Sequence, residues 1–172
     1  MRTLLACVII FFAVPCAKAT DLLQKYVGRS GCAPELNSPL GRYGIRLDEN
    51  KRAYLEAHVF KNETILAIVQ HSSDTDQCGI VRDAIQSQRT DSSFVFECVD
   101  KKDLSAVVVG TWPAEHPSVS GPAVEAWRID LKELKFVRLS VPVACNAGNY
   151  AGSDEGDDLA GRARKRAAKQ EN

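Results

Sequence analysis

From residue 43 onward, apolar side chains recur mostly at every second position, and turn-forming residues separate the short runs, the pattern of half-buried strands. In 53–60, Leu55, Ala57 and Val59 fall on one face, and Tyr54, Glu56, His58 and Phe60 on the other. Lys61, Asn62 and Glu63 predict a hairpin turn into 64–70, a run rich in β-branched residues. Segments 78–86 and 93–100 flank a polar stretch and predict a second hairpin. Pairing Cys78 with Cys98 across it sets Ile80 opposite Phe96 and Arg82 opposite Phe94. It also places Phe94, Phe96 and Cys98 on one face and Glu97 on the other. A helix over 80–88 is the competing reading, because Ile80, Val81, Ala84 and Ile85 also fit one helical stripe, but the periodicity favours a strand.

Val107, Val108 and Val109 make 104–111 apolar on both faces, as expected of a strand in the middle of a sheet. Pro113, Pro117 and Pro122 mark 112–122 as a loop. Strands over 123–130 and 135–141 follow, joined around 131–134, and Val143 and Cys145 close the folded part. Strands without alternating helices predict a mainly β fold, a small antiparallel β-sandwich or barrel. A short N-terminal helical segment is expected over 21–27, ended by Gly28.

The two ends of the chain read differently. Arg2 precedes an uncharged apolar run, 4–14, which is shorter than the roughly 20 residues that span a bilayer. Ala17-Lys18-Ala19 then supplies small residues where a signal peptidase needs them, so a cleaved signal peptide over 1–19 is expected. Pro15 before Cys16 argues against a lipoprotein site. A single domain over 20–149 remains, with no transmembrane segment in the mature chain and a secreted or periplasmic location. After Tyr150 the chain turns to Asp154, Glu155, Asp157 and Asp158, then Arg162, Arg164, Lys165, Arg166 and Lys169, so 150–172 reads as a charged tail, disordered or weakly helical. The mature chain carries a net formal charge near −2, which offers no field to recruit nucleic acid.

Export changes the meaning of the cysteines. Cys32, Cys78, Cys98 and Cys145 lie outside the signal, and in an oxidising compartment an even set is expected to be bridged. Their spacing does not match a zinc site. Three connectivities are open, and the expected hairpin selects Cys78–Cys98 with Cys32–Cys145.

Candidate chemistry is sparse. Asp74, Asp76 and Gly79 begin like a calcium loop, but Cys78 and Ile85 stand where oxygen ligands belong. Serine-hydrolase, nucleotide-binding and zinc-protease motifs are absent, and neither a cofactor nor a metal is expected. His58 and Glu56 share a strand face, which allows an imidazole–carboxylate pair without fixing a nucleophile. Trp112, Glu115 and His116 in the proline-stiffened loop 112–122 form the expected binding surface for a protein or glycan partner, set against the reading that Trp112 plugs one end of the sheet core, which the buried area of an indole favours. Trp127 reads as core. Asn62-Glu63-Thr64 is a glycosylation sequon on a hairpin tip.

Three functional expectations follow. The first is an exported, non-enzymatic binding domain. The second is a small secreted hydrolase that uses His58 or His116 with a nearby carboxylate. The third is an envelope protein whose basic tail contacts anionic surfaces.

Overall fold

The computed structural model describes residues 21–37, 40, 42–87, 92–113, 120–140, 142–146 and 158–170. The expected signal peptide lies outside these residues. Two antiparallel sheets make up most of the chain. The first is a meander in chain order: β1 (Arg42–Asp48), β2 (Ala53–Val59), β3 (Thr64–Gln70) and β4 (Ile80–Ser87). The β2–β3 register places Val59 opposite Thr64, so the hairpin expected at 61–63 is present, with Asn62 exposed at its tip.

The second sheet contains β5 (Ser92–Asp100), β6 (Asp103–Pro113), β7 (Ser120–Pro122), β8 (Glu125–Asp130), β9 (Lys135–Arg138) and β10 (Ala144–Asn146), in the spatial order β7-β10-β5-β6-β8-β9. β6 sits mid-sheet, as its apolar run requires: Val107 and Val109 join one core cluster, and Ala106 and Val108 join another on the opposite face. Part of the segment expected as a loop is instead paired. Trp112 and Pro113 extend β6 opposite β5, and Ser120–Pro122 pairs with β10. These prolines are tolerated because they sit at a strand end and on an edge strand, where a missing N–H breaks no interior ladder.

The expected second hairpin is not formed. β4 and β5 are strands, but they belong to different sheets, and residue parity carries no information about which sheet a strand joins. The cysteine pairing changes with it: the bridges are Cys32–Cys78 and Cys98–Cys145, not Cys78–Cys98 and Cys32–Cys145. β10 lies beside β5 and sets Cys145 directly opposite Cys98, with Cα atoms 3.9 Å apart. Phe94 and Phe96 also part company with Cys98. Between Val95 and Cys98, two residues of β5 oppose one of β6, and this bulge turns Cys98 to the other face.

The main helix is C-terminal rather than N-terminal. The N-terminal segment holds a single turn, α1 (Asp21–Gln24), and a 3-10 turn at Pro34–Leu36; Gly28 lies between them at φ +80°. Within the charged tail, expected to be disordered or weakly helical, Leu159–Gln170 forms α2. Leu159, Ala160 and Ala163 are buried in a core that also includes Leu55, Leu66 and Ile68 of the first sheet and Val107, Val109, Trp127 and Ile129 of the second. Alanine at two of the three contact positions lets the helix backbone approach the sheets closely. The Asp158 carboxylate caps α2 at the Gly161 N–H and also accepts from the Glu49 N–H at 2.7 Å. Arg166 donates to the carbonyls of Leu104 and Ala106, each at 3.1 Å, along a part of β6 that β8 does not reach.

Both sheets are also covered on their outer faces. Segment 21–37 lies over the first sheet, where Leu23, Tyr26 and Leu36 pack on Ile65, Ala67, Val69 and Val81. The Cys32–Cys78 bridge ties this segment down, and Gly31 fits there because a Cβ would sit 2.3 Å from the Cys78 carbonyl oxygen. On the second sheet, the Cys98–Cys145 bridge rests on Gly110, where a Cβ would be 2.9 and 3.0 Å from the two sulfurs.

Candidate functional site

Among the described residues, two places combine polar chemistry with an opening. The first lies on the outer face of the first sheet, where alternation along β2 aligns Tyr54, Glu56 and His58. His58 is fully enclosed beneath segment 21–37, and its Nδ1 contacts the Leu36 carbonyl at 2.8 Å. His71, just past β3, directs its Nδ1 at the Asp76 carbonyl. A carbonyl oxygen only accepts, so both rings carry their proton on Nδ1 and turn Nε2 toward Glu56. The contacts are 3.5 Å from His58 to Oε2 and 4.0 Å from His71 to Oε1. A cavity of about 210 Å³ reaches Glu56 and His71 between Arg52, Tyr54 and Asp74.

The pair expected from the β2 pattern is therefore present, and it has gained a second imidazole that sequence spacing did not reveal. The cluster sets two imidazoles against one buried carboxylate. Acyl transfer also needs a nucleophile, and the ring nitrogens of His58 and His71 face carbonyls and the Glu56 carboxylate rather than a hydroxyl or thiol. Among the described residues, no group of three or more His, Cys, Asp or Glu is arranged to hold a metal ion. The segment resembling a calcium loop is a capped turn. Asp76 accepts from the N–H groups of Ser72, Cys78 and Gly79 and from the Ser72 hydroxyl, which together hold its carboxyl well below the usual carboxylate range. Asp74 pairs with Arg52 at 3.0 Å.

Trp112 is buried with Val95, Val108 and Val143 and presents no indole face to a partner. It fills the core position that the sequence also allowed. Glu115 and His116 lie outside the described residues.

The second place is a groove of about 1110 Å³ between the edges of the two sheets, bounded by α1, β4, β8 and β9. Its rim carries Val27 and Val124, which are 44% and 47% exposed where core burial would be expected of valine. The groove is set by strand parity. Leu139 donates to the Ala126 carbonyl, so Phe136 and Arg138 turn their main-chain groups away from β8. Phe60 donates to the Glu63 carbonyl, which fixes the β2–β3 ladder and leaves Ala84 and Gln86 of β4 facing away from β3. Asp83 bridges the two edges: Oδ1 accepts from the Ala84 N–H at 2.9 Å and Oδ2 from the Phe136 N–H at 2.8 Å. Sequence reading missed this site because it assigned β4 and β5 to one hairpin, which would have covered the β4 edge.

Searches of family models, curated proteins and solved structures found no match to this chain.

Proposed function

We propose that this chain is an exported, non-enzymatic β domain that binds a partner in the groove between β4 and β9. The groove itself carries the reading: two sheet edges with outward-facing main-chain groups flank a large opening rimmed by exposed valines. Export is supported by the two disulfides and by the signal-like N-terminus. No helix among the described residues is long and apolar enough to cross a membrane. The proposal takes the two sheets as layers of a sandwich, supported by the one core cluster to which both contribute.

The other two readings draw less support. A hydrolase built on His58 would need substrate to reach an enclosed ring. An anionic-surface role for the basic tail loses Arg166, which is committed to the β6 carbonyls. The test is a photo-crosslinking amino acid placed at Val124 on the groove rim and, as a control, at Ser105, exposed on β6, in the exporting host. A covalent adduct specific to Val124 is expected. Absence of an adduct, or equal adducts at both positions, would defeat the proposal.

A further inference from the structure

We infer that the occupant of this groove is an extended, acidic peptide segment that adds a strand between β4 and β9; the inference rests on the groove being the binding site. The main chain argues for an extended occupant. Gln86 on one edge and Arg138 on the other present N–H and C=O groups away from their own sheets, and a strand is the structure that pairs with such edges. Asp83 already satisfies one N–H on each edge, as a peptide inserted farther along would do.

Charge decides the chemistry. Five charged side chains line the groove. Asp83 is engaged by two main-chain N–H groups, and Glu125 is paired with Arg138 at 2.7 Å. Arg82 and Lys135 are exposed and make no ion pair among the described residues, so with three cations against two carboxylates the groove keeps a net formal charge of +1 and both of its unpaired cations face outward. Apolar surface between them, from Ala84, Trp127 and Phe136, favours a segment that alternates carboxylates with apolar residues.

The probe is a capped heptapeptide of alternating Glu and Val, with the Lys–Val counterpart as control, added to the full mature disulfide-bonded protein labelled for amide NMR. The Glu–Val peptide is expected to shift the Gln86 and Arg138 amides, and the Lys–Val peptide to leave them in place. Reversing both cations, Arg82→Glu with Lys135→Glu, should weaken Glu–Val binding about tenfold, as the loss of two exposed ion pairs implies. Should that variant misfold, Arg82→Gln with Lys135→Gln tests the same charges with less perturbation. Unmoved amides, or equal shifts with both peptides, overturn the acidic-strand assignment. Crosslinking at Val124 reads the groove independently of partner charge, so a failure there is told apart from a failure of this inference.

Discussion

Asp76 and Gly110 show how single residues hold this structure through main-chain geometry. The Asp76 carboxylate gathers three N–H groups and a hydroxyl at the turn that carries Cys78, and Gly79 makes room there with φ +57°. Its folded pKa lies below its unfolded value, so the stabilisation is present above roughly pH 4 and is lost as pH falls toward the folded value. Asp76→Asn should therefore lower the Tm at pH 6, and the gap from the unmodified protein should close on acidification. A gap that stays constant from pH 6 to pH 2 would show that the carboxylate charge is not the source. At Gly110 a methyl group would press on both sulfurs and on Ala123, so Gly110→Ala should cost about 1–3 kcal/mol in denaturant unfolding, a typical overpacking penalty. At the groove, Asp83→Ala should cost about 1–3 kcal/mol, since two edge N–H groups lose their acceptor.

Among the elements, the strands and the local β2–β3 pairing were legible, and the partners of β4 and β5 were not. The alternation in β2 and the polar turn at 61–63 identify the β2–β3 hairpin, and the three consecutive valines of β6 place it mid-sheet. Parity also foretold that Glu56 and His58 share a face. It could not foretell His71, which arrives from beyond the next strand, or the bulge that reverses the face of Cys98. The docking of α2 was hidden for another reason. Leu159, Ala160 and Ala163 are too few and too small to register as an amphipathic stripe amid so many charges, although Asp158 before Leu159 is a helix-start signal. That helix is now exposed to test. Ala163→Asp puts an unpaired charge against the shared core and should destabilise by about 3 kcal/mol or more, whereas Lys169→Asp on the exposed side should change stability by less than about 0.5 kcal/mol. Equal effects would mean that α2 does not dock.

For the whole molecule, two bridges divide the work. Cys32–Cys78 and Cys98–Cys145 have sequence separations of 46 and 47 residues, so the chain-entropy model assigns each about 4 kcal/mol. Their surroundings differ: Cys32 is exposed, whereas Cys98 and Cys145 are both buried. Among the four cysteines of the described residues, the bridges join neighbours in chain order, Cys32 with Cys78 and Cys98 with Cys145. The strand pairing of the first sheet and the packing of its covering segment lie within residues 21–87, while the second sheet waits for β10. An oxidase that joins each cysteine to the one arriving next would therefore make the native bonds without correction, and the yield of native protein should not depend on a disulfide isomerase.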